Sequence, residues 1–489
     1  MSIAPTPVRR IAVSTTYLAH AFGARYDLPI PLVLFVVGGT AVVVLSFLLV
    51  LRRDGAPAVS GGQVSDRPPC ASLSLSWAVV SLVVLVLLTT CGLLGSTVVA
   101  ENLLPTVFWL VVWIVVPLSC GVLGDWTRPV NPFANLVRLV DHPSVRKTIL
   151  ARSDPLPYPH GLGWWPAVGL FFALACGELI FNLTVTQPQV IALGFVVYAV
   201  TTLVLGLLFG DRWLERGEVF SVLFATWGRL GYCRFGAAGK RGFAGGLVVP
   251  FERSASRVTF VMLLLISVNF DGVLATPQWT AFERARVGID TQAGAALRTV
   301  SFLVLTAVIC AVFGVFAVAA ARAGAHRTGF RDSLSGLLPS LLPIAFGYLL
   351  AHNAQYVLVN SQLLAPLLGN PVGRSSWPIH LPAPFNDTYE PNATFLPSAF
   401  YWYLGVAAIV AVHVIAVILA HRHLRTRAGS PTRGRYSEYP WLLAMVAYTA
   451  FSLILIAQPL TTDTNTAETS GALLRPAADN PQPIIPIPV

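Results

Sequence analysis

Charge is what this sequence has least of. Only 11% of its residues are Asp, Glu, Lys or Arg, where a soluble domain carries about 25%. That shortage excludes a water-soluble globular protein. Cysteine is sparse too: Cys70, Cys91, Cys120, Cys176, Cys233 and Cys310 include no C-x-x-C pair, and four of them lie inside apolar runs. Such a set implies neither a disulfide framework nor a thiolate metal site, and small core residues are the plain reading. Local catalytic signatures are missing as well, with no G-x-S-x-G, Walker, kinase or H-E-x-x-H pattern. The Gly-rich GAAGKRG at 236–242 lacks phosphate-loop spacing and follows no strand. After Arg9 and Arg10 no continuous apolar core of a cleavable signal appears.

What is present is apolar. The 489 residues are 55% hydrophobic, with a mean hydropathy of +0.70. The expected class is an all-α integral membrane protein, a bundle of about ten spans near 31–52, 76–97, 105–124, 165–185, 188–209, 258–275, 299–321, 337–362, 400–420 and 439–458. Residues 1–30 read as an outer N-terminal segment, 31–458 as the bundle, and 459–489 as a disordered, Pro/Thr-rich outer tail. Within the bundle, 210–257 is a cytoplasmic loop and 363–399 an outer one, the latter carrying the glycosylation-type triplets at Asn386 and Asn392. The short amphipathic stretch 217–230 is expected to lie at the membrane interface. The net charge of +10 sits in loops, with 24 of the 32 Lys and Arg residues on one side. That asymmetry places both termini outside the cytoplasm of a plasma-membrane protein. The basic residues then set topology and touch lipid. The expected partners are the bilayer and a small lipophilic substrate, and no nucleic acid.

The eighth span interrupts this pattern with His352, Asn353, Gln355, Asn360 and Gln362. His352, Gln355 and Tyr356, at i, i+3 and i+4, share one helix face. Hydrocarbon penalises such groups unless they meet a partner, water or a ligand. They mark a functional face, or they simply join helices. Six ionisable residues fall at one depth in the outer half: His20, Asp27, Glu101, Glu178, Asp271 and His352. His and carboxylate donors suit zinc, which lowers the pKa of bound water to about 7, and a carboxylate such as Glu178 takes the proton. Each also has a plain explanation. Asp27 before Pro29 suits a helix cap, Glu101 is solvated, and Asp271 before Gly272 suits a turn. His413, in the ninth span, pairs with His352, ligates haem as an axial residue, or bonds between helices. His421 and His423 belong to the interface beside Arg422 and Arg425.

Several stretches share an order: AHAFGARYDLPIPLVLF, FGDRWLERGEVFSVLF, SVNFDG, AHNAQYVLVNSQ, and FYWYLGVAAIVAVHVIAVILAH followed by YPWLLAMVAYT. From about His20 to Gln458 the chain resembles a family of polytopic actinobacterial membrane proteins commonly labelled fenitrothion hydrolase. The resemblance implies hydrolysis of organophosphorus triesters. It matches a recurrent polar pattern at His20, Asp27, Asp271, His352, Gln362, His413 and His421. The eighth span reads HNAQYVLVNSQ, where the family pattern is more aromatic and ends Gln-Gly-Gln.

These readings converge on a membrane-embedded, zinc-assisted hydrolase of lipophilic esters. His20, Asp27 and His352 hold the metal, Glu178 and Asp271 are catalytic, and His413 and Gln362 are cofactor-binding. A permease or metal-ion transporter using the same polar path is the alternative. A haem-binding electron-transfer subunit is the third.

Overall fold

The computed structural model describes residues 74–473 except 236–241, 250, 289–290, 327, 387, 390 and 393, together with 37–42 and 44–45. The chain is helical throughout, with no β-strand among the described residues. Eight helices are long and apolar enough to cross a membrane: α1 (Leu75–Leu94), α2 (Leu103–Leu123), α5 (Pro188–Phe209), α7 (Ala255–Leu274), α8 (Gln292–Ala323), α9 (Phe330–Asn360, continuing as far as Gly369), α10 (Ser398–Arg427) and the first part of α11 (Pro431–Leu473). Among the shorter helices are α3 (Pro132–Val140), α4 (Trp165–Leu179) and α6 (Val219–Gly228). Eight of the ten expected spans are therefore helices of spanning length. Most of the first lies outside the described residues. The fourth is the 15-residue α4, which falls short of the roughly 20 residues that a bilayer requires.

Burial separates centre from rim. In α9, 83% of the most apolar stretch is buried, against 22% in α1. Branched aliphatic side chains cover the outside of α1, α5 and α8, among them Val83, Leu87, Val197, Val200, Leu303 and Val308. A soluble protein hides such surfaces, and lipid accepts them. The chain is a multi-pass membrane protein with α9 at its core.

α9 stays helical through Pro339 and Pro343. Each proline lacks an N–H and so leaves the carbonyl four residues back, at Ser335 and Pro339, without its helical donor. α2 departs from regular geometry as well. Residues Val107–Val115 form a π-helix, and the Val116 N–H bonds Val111 O just before Pro117. Wide turns of this kind are rare and gather at functional sites.

Two expectations change here. The stretch 217–230 does not lie on the surface. Val219, Phe220, Val222, Leu223, Phe224 and Trp227 are all buried, and Phe220 meets the rings of Phe108, Phe133 and Tyr198. Apolar neighbours cover the whole helix, while its charges are confined to the ends, where Glu218 caps it and Arg229 reaches Gly246 O. The second change concerns the C-terminus. α11 runs to Leu473, beyond the expected start of the tail, because an anchored helix extends one residue at a time without a new nucleus.

The exit of α6 depends on one glycine. A Cβ on Gly231 would lie 2.0 Å from Gly124 N and 2.7 Å from Cys120 O, and both are backbone atoms. Gly231→Ala is expected to destabilise the bundle by about 1–3 kcal/mol or more. A thermal unfolding scan in detergent checks this, and an unchanged midpoint would refute the close approach.

Candidate functional site

Five helices converge on a small cavity. α7 contributes Asp271 and Ser267, α9 contributes His352 and Asn353, α4 contributes Glu178, and α2 contributes Trp113. Leu223 and Trp227 of the buried α6 and Phe171 of α4 supply apolar wall. The volume is about 60 Å³, enough for ordered water.

Its polar groups are paired across helices. His352 Nε2 lies 3.1 Å from Asp271 Oδ2, with the two side chains 9% and 13% exposed. The π-helical turn of α2 presents Trp113, whose Nε1–H donates to Glu178 Oε2 at 2.7 Å. One turn earlier, Trp109 Nε1–H donates to Val185 O at 3.3 Å. The two indoles thus tie α2 to the segment that carries the carboxylate. Asn353 turns its amide back to Leu349 O at 3.0 Å, the usual back-bond to a carbonyl one turn earlier.

Of the seven residues singled out in the sequence, three meet here: Glu178, Asp271 and His352. His20 and Asp27 lie outside the described residues. His413 is elsewhere and fully buried. Its Nδ1 lies 2.7 Å from Ile409 O and its Nε2 2.7 Å from Thr449 Oγ1, so both ring nitrogens are engaged within the α10–α11 contact. The bond to Thr449 is the inter-helix hydrogen bond, and His352 is not among the hydrogen-bond partners of His413. Gln362 is also fully used. It donates from Nε2 to Asn392 O at 3.1 Å, and its Oε1 accepts from Asn392 N at 3.0 Å and Tyr389 OH at 3.2 Å. Gln362 fastens the 363–399 loop to the end of α9. Gln362→Ala is expected to speed amide hydrogen exchange across 386–394 without altering the unfolding midpoint, as measured by exchange mass spectrometry.

Glu101 of the converging set, and His421 of the family pattern, sit apart from the cavity. Glu101 accepts from Ser96 Oγ at 2.6 Å in the turn between α1 and α2. His421 faces Glu438 at 3.1 Å, with Arg425 Nε on the same oxygen at 2.6 Å, an ion cluster that joins α10 to α11. Trp113, Ser267 and Trp227 are site residues that the sequence did not single out. The available signal was the pair Trp109 and Trp113, four residues apart in an otherwise aliphatic span, whose buried indoles each need an acceptor.

The donor set has a bearing on metal. Two ligands on one tetrahedral zinc, with bonds of about 2.0–2.1 Å, stand roughly 3.3 Å apart. The facing atoms of His352 and Asp271 are close to that spacing. They supply two donors, and among the described residues no group of three or more His, Cys, Asp or Glu side chains is placed to hold an ion. Comparison with protein-family models, with curated proteins and with solved structures finds no match, so the chemistry of this site rests on its own geometry.

Proposed function

We propose that this chain is a membrane-embedded hydrolase of lipophilic esters, with its reacting centre in the cavity shared by Glu178, Asp271 and His352. One observation carries the reading: ionisable side chains from three separate helices meet inside apolar walls, with His352 and Asp271 in contact. Groups so expensive to hold in a bilayer mark function by default. The resemblance to the family labelled fenitrothion hydrolase points to the same class, with aryl phosphotriesters as the first substrates to try. The distribution of Lys and Arg supports a cavity in the outer half of the plasma membrane, with both chain ends outside the cytoplasm.

In this reading Glu178 takes the proton of an attacking water, while Trp113 fixes the carboxylate through its other oxygen. Asp271 orients the imidazole of His352. The water oxygen bonds to phosphorus, the bond from phosphorus to the aryl oxygen breaks, and the stable aryloxide needs little help from an acid. A divalent ion, zinc by donor type, would be held by His352 and Asp271 with a further donor from His20 or Asp27. When bound, it supplies hydroxide near neutral pH and offsets oxyanion charge.

The test is release of nitrophenol from an aryl phosphotriester by the purified protein in nanodiscs, before and after chelation. Chelation is expected to remove turnover, and one to two equivalents of zinc to restore it. A second reading has its own support. α9, with two prolines inside it, runs from this cavity to another near His423, and polar groups along a spanning helix mark solute paths as readily as active sites. Solute uptake into proteoliposomes, with no ester turned over, would replace the hydrolase by that permease.

A further inference from the structure

A second recess opens at the opposite ends of α9 and α10, where the basic loops lie. Its two lobes, of about 220 and 110 Å³, share Leu337, His423 and Arg427. Arg422 and Thr426 line the larger lobe, and His326 lines the smaller. Among the described residues no carboxylate lines either lobe, and neither Arg422 nor Arg427 has an ion pair. The neighbouring Arg425, by contrast, turns away to Glu438. Leucines supply apolar wall, with Leu247, Leu337 and Leu419 in the larger lobe, and Ser333 and Ser437 add hydroxyls to the smaller one.

Positive charge at the ends of spans has an ordinary cause in membrane topology. That cause does not produce a recess between two helices into which the charges are turned. Nor does it strand a ring nitrogen: His326 Nε2 is buried without a hydrogen-bond partner. Gly336 keeps the recess open beside the imidazole, because a Cβ there would lie 2.5 Å from His423 Cε1 and Nε2.

We infer that this recess binds the phosphate headgroup of an anionic phospholipid, with Arg422 and Arg427 on the phosphate and the leucine wall against the upper acyl chains. Two guanidiniums present planar donors that suit phosphate oxygens. Basic pockets between spanning helices are where such headgroups lodge. Inorganic phosphate would satisfy the arginines but leave the apolar wall unused. This inference concerns a different cavity from the proposed reacting centre and stands without it.

The full chain, in nanodiscs of phosphatidylcholine doped with phosphatidylglycerol, is released into native mass spectrometry. One phosphatidylglycerol is expected to stay bound, and phosphatidylcholine is not. Arg422→Gln and Arg427→Gln should each weaken retention about fivefold, and the double variant roughly 25-fold, at about 1 kcal/mol for each charge. Arg433→Gln, outside both lobes, should change nothing. Equal retention in the double variant overturns the site, and an equal loss in Arg433→Gln overturns its specificity. The single variants keep the test available should the double not fold. Arginine-dependent binding of millimolar inorganic phosphate in place of lipid overturns the lipid assignment.

Discussion

Asp271→Asn protein is expected to hydrolyse an aryl phosphotriester about 10²- to 10⁴-fold more slowly than the wild type, the range associated with a positioned acid–base group. The substitution keeps the shape of the side chain and removes its charge. At 3.1 Å from His352 Nε2, an asparagine still offers an oxygen to the ring, so the imidazole holds its place and the unfolding midpoint should move little. What it loses is the anion that orients the ring and completes a donor pair for a cation. His352→Ala should fall equally far. If the two act as a unit, the double variant will be no slower than either single one. A double variant whose losses multiply would show that the residues work independently. Turnover by Asp271→Asn within about threefold of wild type would remove the cavity from the chemistry.

The largest effect on stability is expected outside that lining, at Glu218. This carboxylate is completely buried and accepts four hydrogen bonds: from Asn131 Nδ2 at 2.8 Å, Tyr198 OH at 2.5 Å, Phe220 N at 3.1 Å and Ser221 N at 2.7 Å. The Tyr198 hydroxyl in turn accepts from Val219 N at 3.1 Å. Glu218→Ala removes the cap of α6, which costs about 1 kcal/mol. It also strands a buried amide, a hydroxyl and two backbone N–H groups, at about 1–3 kcal/mol for each one left unpaired. The sum is about 4 kcal/mol or more, in the exceptional class for a point substitution. Glu218→Gln should cost less, since one oxygen survives, yet its amide would face the remaining N–H donors. Fluorescence-detected size exclusion after a heating series reads both. A Glu218→Ala midpoint within a degree or two of wild type would show that water replaces the carboxylate.

How much of this was visible in the chain itself varies with the kind of force involved. Glu178, Asp271 and His352 stand out in the sequence because an ionisable group in an apolar run has no cheap place in lipid. Their separation, 93 residues from the first to the second and 81 from the second to the third, gives no hint that they share a cavity. His413 stands out for the same reason, yet its bond to Thr449 joins two helices while its other nitrogen meets Ile409 O of its own helix. The sequence marks a buried polar group without saying what satisfies it. Stretch 217–230 shows the converse failure. Its apolar face was legible, whereas its depth depends on the neighbours that cover the other face.

By itself the sequence determined the all-helical class, the positions of eight spanning helices and the rank of the unusual residues. Those properties follow from local hydropathy and length measured against a bilayer of fixed thickness. Only the tertiary structure decided that α6 is buried, and that Trp113 holds Glu178 while Asp271 meets His352. Each of these is a contact between segments distant in the chain, fixed by helix packing and by the need of every buried polar group for a partner, and no single segment carries that information.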